Sequence, residues 1–179
     1  MSSPRYTAPA AALHWLLALL LAGTFSFGLY MSDLPFSPAR VRQFNWHKWA
    51  GITILLLSLL RLAWRLTHRP PAPLAGTPAW QQRAAQLTHA AMYVLFVAVP
   101  LAGWAYSSAA GFQVVWFGVL PLPDWVPRDK ALADSLKALH HNLAFALAAL
   151  VGLHLGAVLL HQLQDGGEQL RRMWPARRT

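Results

Sequence analysis

Four apolar blocks constrain this chain more than any other feature. They lie at about 10–30, 47–66, 84–106 and 139–163, and each is close to the ~20 residues that cross a bilayer as a helix. None of the six carboxylates falls inside a block, and the intervening stretches carry prolines, glycines and charges. A helix in a soluble protein keeps a polar stripe, but these blocks are apolar around nearly their whole circumference. With 56% apolar and 12% charged residues over 179 positions, the expectation is an all-α membrane protein. It is one domain over 1–179, a four-transmembrane-helix up-down bundle embedded in lipid. The first block is too long for a cleaved signal peptide, and no A-x-A-like site follows it.

Charge gives the orientation. The N-terminus, the second loop with its flanks, and the tail hold nine of the fifteen Lys and Arg with two carboxylates. The other side holds six Lys and Arg with four carboxylates. The positive-inside rule then places both termini in the cytoplasm. The formal charge of +9 is distributed over helix ends as topology demands, so it does not indicate nucleic acid. Tryptophans from Trp15 to Trp174 fall near the expected interfaces, as aromatic belts do. There is no cysteine, which removes disulfides, thiolate metal sites, iron–sulfur clusters and covalent c-type haem.

Several connections have a readable character. The loop SDLPFSPARVRQFN joins the first two blocks, and a proline-rich linker, THRPPAPLAGTPAW, joins the next two. Pro100 inside the third block predicts a kink, since an interior proline removes one backbone bond. The stretch 107–137 contains GFQVVWFGVLPLP, too apolar for a plain loop and too broken for a span. It reads as a re-entrant or interfacial cap followed by a short amphipathic helix, RDKALADSLKAL. The tail DGGEQLRRMWPARRT, with Arg171, Arg172, Arg177 and Arg178, is expected on anionic headgroups.

The chemistry lies in histidines. His140 and His154 are 14 residues apart in the fourth block, within about 40° of one face and roughly 21 Å apart along the axis. Up-down order assigns His47, His140 and His141 to the outer level, and His14, His89, His154 and His161 to the inner one. Carboxylate-bridged di-iron is excluded because no carboxylate lies in a span. Tetrahedral zinc wants four ligands at one level, usually with Cys or a carboxylate. Haem iron needs two imidazoles from opposing helices and an apolar slot. Gly23, Ala50, Gly51, Ala102, Gly103, Ala144, Ala148, Gly152 and Gly156 are candidates to supply that slot, although small residues also serve plain helix packing. Two non-covalent b haems fit best. At the outer level His47 pairs with His140, because His141 lies about 140° around the helix from His154. At the inner level either His14 or His89 can face His154.

Arg61, 14 residues after His47, is placed to neutralise an inner haem propionate by a bidentate fork, or simply to snorkel. Lys137, with Arg40, Arg42, Lys48, Arg128 and Lys130, lines the outer rim, where it can pair propionates or attract small anions. His161, one heptad beyond His154, is a candidate to bind or protonate a quinone.

The stretches LHWLLALLLAG, NWHKWAGITILLLSLLRLAWRL, LTHAAMYVLFVAVPLAGW, VVWFGVLPLP and DSLKALHHNLAFALAALVGLHLGAVLLHQ resemble, in order and spacing, the bacterial cytochrome b561 family. These are small di-haem cytochromes of the bacterial inner membrane linked to quinone. The resemblance implies that His14 pairs with His154 and His47 with His140, leaving His89 as a structural or quinone-proximal residue. It implies ubiquinone as electron partner and, in members similar to a superoxide oxidase, superoxide as the donor at the outer face. Related cytochrome b subunits of hydrogenases and formate dehydrogenases give the alternative, a membrane anchor for a periplasmic electron-donor protein. A haem-free transporter or zinc-binding membrane protein is the remaining rival.

Overall fold

The computed structural model describes residues 5–164 and 166–174. Four long helices, α1 (Ala8–Ser32), α2 (Pro38–Thr67), α3 (Ala79–Ala109) and α4 (Lys130–Gln164), are each long and apolar enough to cross a membrane. A two-stranded hairpin, β1 (Val115–Trp116) and β2 (Leu120–Pro121), lies between α3 and α4, and a short α5 (Glu168–Met173) follows. Consecutive long helices pack against each other. By contrast α1 and α4 meet chiefly through side chains, such as the Phe25 and Phe145 rings at 5.4 Å. Leucines such as Leu159, Leu160 and Leu163 are left exposed on α4, as a lipid-facing surface requires.

The helices start earlier than their apolar content suggests, for reasons of capping. The Ser37 hydroxyl accepts from Arg40 N at 3.2 Å and Pro38 opens α2, a strong N-terminal signal. What reads as a fourteen-residue loop is therefore largely the first turns of α2. Similarly, Asp129 caps α4: its carboxylate accepts from Leu132 N at 2.7 Å. The stretch RDKALADSLKAL is not a separate helix, because α4 runs through it unbroken. At 35 residues α4 is ~52 Å long, well beyond the ~30 Å hydrocarbon core. Its first turns, with Lys130, Asp134 and Lys137, project past the apolar region.

The cap expected over 107–137 contains a hairpin that hydropathy alone did not reveal. Phe117 and Gly118 both have positive φ (51° and 73°), as a tight primed turn requires. Trp49 Nε1 donates to Val115 O at 2.6 Å, and Trp116 Nε1 donates to Thr53 Oγ1 at 3.3 Å. The hairpin is thereby tied down onto α2. In the tail, Arg171 is exposed but Arg172 differs from expectation. Arg172 is only 4% exposed and donates to Ala72 O at 2.7 Å, while Tyr6 N donates to Arg172 O at 3.2 Å. A guanidinium so enclosed serves the protein rather than lipid headgroups, and the segment before α1 meets α5 on one face. Arg177 and Arg178 lie outside the described residues.

Candidate functional site

Each long helix carries two notable residues fourteen positions apart: His14 and Gly28, His47 and Arg61, His89 and Gly103, His140 and His154. Fourteen residues are ~3.9 turns, so each pair shares a helix face about 21 Å apart. Antiparallel order gathers them into two levels. Gly28, His47, Gly103 and His140 form the level near the hairpin. His14, Arg61, His89 and His154 form the level near the chain ends.

At the hairpin level the His47 and His140 ring centroids are 6.2 Å apart, with planes at 87°. His140 Nδ1 lies 2.9 Å from Val99 O. A carbonyl only accepts, so Nδ1 carries the proton and the Nε2 lone pair is left free. Both glycines are seats for the rings. A Cβ on Gly28 would lie 3.0 Å from His47 Cε1, and one on Gly103 would lie 3.0 Å from both Cε1 and Nδ1 of His140. Helical side chains lean back towards the N-terminus, so a side chain at 103 would also cover the Val99 carbonyl. His141 turns away: it is exposed, and its ring lies 4.7 Å from the Phe145 ring, tilted by 41°.

At the other level the His14 and His154 centroids are 6.3 Å apart, with planes at 73°. His89 is nearer to His154, at 5.4 Å and 60°. Arg61 Nε donates to Tyr93 Oη at 3.1 Å, leaving its two terminal nitrogens for another partner, and Arg65 lies over the Tyr93 ring at 5.8 Å. Arg61, Arg65 and Tyr93, with Arg5 and Arg69, line a cavity of about 60 Å³. Among the described residues no hydrogen bond or ring contact joins His161, which is half-buried, to this group.

The two histidine pairs can be tested against a shared metal. Metal–imidazole bonds of about 2.0–2.1 Å, with each ring centroid about 1.1 Å behind its bonding nitrogen, set two opposed imidazoles about 6.2–6.4 Å apart. His47–His140 and His14–His154, at 6.2 and 6.3 Å, match that span, while His89–His154, at 5.4 Å, falls short of it. Among the described residues no group of three or more His, Asp or Glu is arranged around a bare ion. The donor sets are therefore pairs, which suits a metal whose other ligands come from a macrocycle. The glycines differ in their surroundings. Gly23, Gly51, Gly152 and Gly156 have nothing within 4 Å of an added Cβ; Gly51 lies about 40° from His47 around its helix, and the other three about 160–180° from the level-forming histidine. The residues in close approach are Gly28, absent from the small-residue set above, and Gly103. Gly28 is legible in sequence only through its fourteen-residue spacing from His14.

The rim above the hairpin level is less free than its composition suggests. Arg128 pairs with Asp124 at 3.8 Å and Lys130 with Asp134 at 2.7 Å. Lys48 Nζ donates to Phe112 O and Gln113 O, Arg40 donates to Ser32 O, and Arg42 lies over the Trp46 ring. Of these six cations Lys137 and Arg42 have no hydrogen-bond or ion-pair partner among the described residues, and only Lys137 also lacks a ring contact.

Residues 5–176 match the family described as prokaryotic cytochrome b561. Among curated relatives the chain is 32% identical to cytochrome b561 homolog 2 of Escherichia coli (strain K12), over 94% of this chain and 90% of that protein. It is 31% identical to the probable superoxide oxidase CybB of Yersinia pestis, over 97% of this chain and 98% of that protein.

Proposed function

The chain belongs to the prokaryotic cytochrome b561 family, and from that premise we propose that it holds two b haems and carries electrons from a periplasmic donor, superoxide being the best fit, to ubiquinone. It is a multi-pass membrane cytochrome; the bacterial inner membrane with both termini cytoplasmic is the setting proposed. The observation that carries the reading is the matched 6.2 and 6.3 Å separation of His47–His140 and His14–His154, one pair per level.

When bound, b haem supplies one-electron redox capacity at each level. The protein's own residues do the rest. His47 and His140 hold the outer group, and His14 and His154 the inner one. The Val99 carbonyl fixes the His140 tautomer, orienting its free Nε2. Gly28 and Gly103 leave the rings room to sit. Arg61 offers its terminal nitrogens to an inner propionate, where a carboxylate is otherwise costly to hold in an apolar bundle. Lys137, unpaired on the first turns of α4, draws small anions to the outer face. Overall, two superoxide ions each lose one electron and leave as dioxygen. The quinone gains both electrons and takes up two protons to become quinol. His161, near the end of α4, and His89, beside His154, are the candidates to meet the quinone.

The test is the purified single chain. It should show a reduced b-type α-band and two haems per chain by haemochrome assay, and should reduce a ubiquinone analogue when superoxide is supplied. A missing b-type band overturns the haem reading. Two haems without superoxide-dependent quinone reduction would leave the alternative, an anchor for a periplasmic dehydrogenase or hydrogenase.

A further inference from the structure

The two outer histidines are supported unequally. His140 Nδ1 is satisfied by Val99 O at 2.9 Å, whereas His47 Nδ1 is sealed from solvent with no hydrogen-bond partner. A buried donor left unpaired costs about 1–3 kcal/mol, and a metal-binding histidine usually gives its second N–H to an oxygen acceptor. That acceptor is missing from the neighbouring helix. Gly28 of α1 walls this edge of the ring, with an added Cβ 3.0 Å from Cε1 and 3.6 Å from Nδ1, and glycine brings no side-chain acceptor.

One turn earlier on α2, Gln43 Oε1 is a second sealed atom without a partner. The two atoms are chemically complementary, an acceptor and an N–H. Residues i and i+4 are neighbours on one face of a helix, and the His47 side chain leans towards the N-terminus and so over the turn of Gln43. A Gln43 rotamer that carries Oε1 to Nδ1 would satisfy both atoms at once.

We infer that Gln43 is the positioning residue of the outer haem ligand, accepting the Nδ1–H of His47 through Oε1. The bond holds the His47 tautomer with Nε2 towards the metal and raises the basicity of the ring, as Val99 O does for His140. This rests on the reading of His47 as a haem ligand.

The experiment is a redox titration of the purified di-haem protein, comparing Gln43→Leu and Gln43→Glu with the parent. A more basic ligand stabilises the oxidised metal. Gln43→Leu should therefore raise the potential of one haem and leave the other in place, and Gln43→Glu, a stronger acceptor, should lower that same potential. The haem that moves should be the one lost in His47→Ala. If Gln43→Leu does not accumulate, Gln43→Glu decides alone, since it keeps the acceptor. Two retained haems with neither potential moved overturn the role of Gln43, while His47→Ala still loses one haem. Retention of both haems in His47→Ala overturns the ligand assignment itself.

Discussion

Gly103→Ala is the substitution on which intrinsic propensity and site geometry disagree most sharply. By propensity alone, replacing a mid-helix glycine with alanine stabilises by about 0.8–1.0 kcal/mol. The new methyl would lie 3.0 Å from two atoms of the His140 ring, whereas carbon contacts relax to about 3.5–4.0 Å, so the ring must retreat by roughly 0.5–1 Å. Starting from 2.9 Å, that retreat takes the Nδ1–Val99 O contact towards or beyond ~3.4 Å, where a hydrogen bond is weak or lost. Overpacking costs about 1–3 kcal/mol, and a stranded buried donor and acceptor about 1–3 kcal/mol more. Net of the propensity gain, the outer site weakens by on the order of 1–5 kcal/mol, roughly 5- to 5,000-fold in haem affinity. The assay is haem per chain by haemochrome on protein purified under limiting haem, with the low-spin spectrum recorded alongside. Gly152→Ala is the control, because its methyl would meet nothing within 4 Å; it should keep both haems and melt slightly higher. If Gly103→Ala behaves like Gly152→Ala, His140 does not sit against Gly103 and the seat argument is wrong.

Histidine replacements separate the levels. His154→Ala should lose one haem and His140→Ala the other, while His141→Ala and His89→Ala keep both, as read from haem stoichiometry; loss of a haem in His89→Ala but not in His14→Ala would reassign the inner pair. Lys137→Glu should slow the reaction with superoxide by about 2- to 10-fold at low salt, with the difference shrinking as ionic strength screens it, and an unchanged stopped-flow rate at all salts would remove Lys137 from the anion path. Arg172→Ala strands the Ala72 carbonyl and unties α5 from the inner loop. It should cost about 1.5–3 kcal/mol locally, seen as faster proteolysis near residue 72 with haem content intact.

Much of the fold is legible in the one-dimensional pattern because lipid imposes a blunt rule: every span needs about twenty apolar residues. The positions of the four spans follow from that rule, but the helix starts at Pro38 and Lys130 do not. Capping chemistry at Ser37 and Asp129 extends those helices through polar sequence that hydropathy reads as loop. The hairpin is hidden for a similar reason. Its strands are two residues each, too short for periodicity, and its turn depends on backbone angles at Phe117 and Gly118. The tail misleads because arginine is read by charge, whereas Arg172 acts as a hydrogen-bond donor to an enclosed carbonyl.

The candidate site divides along the same line. Helical periodicity and up-down order alone imply two histidine levels, with His47 and His140 at one of them, because depth in a span and angle on a helix are properties of position in the chain. How far each inner histidine stands from His154 is a question of lateral packing, and only the assembled bundle distinguishes 6.3 Å from 5.4 Å. Packing alone also reveals the work of residues with little signature of their own. Gly28 and Gly103 matter for the volume they leave empty, Val99 for a carbonyl every residue possesses, and Lys137 because its neighbours are already paired. Those roles are relations between helices, and no single stretch of sequence contains them.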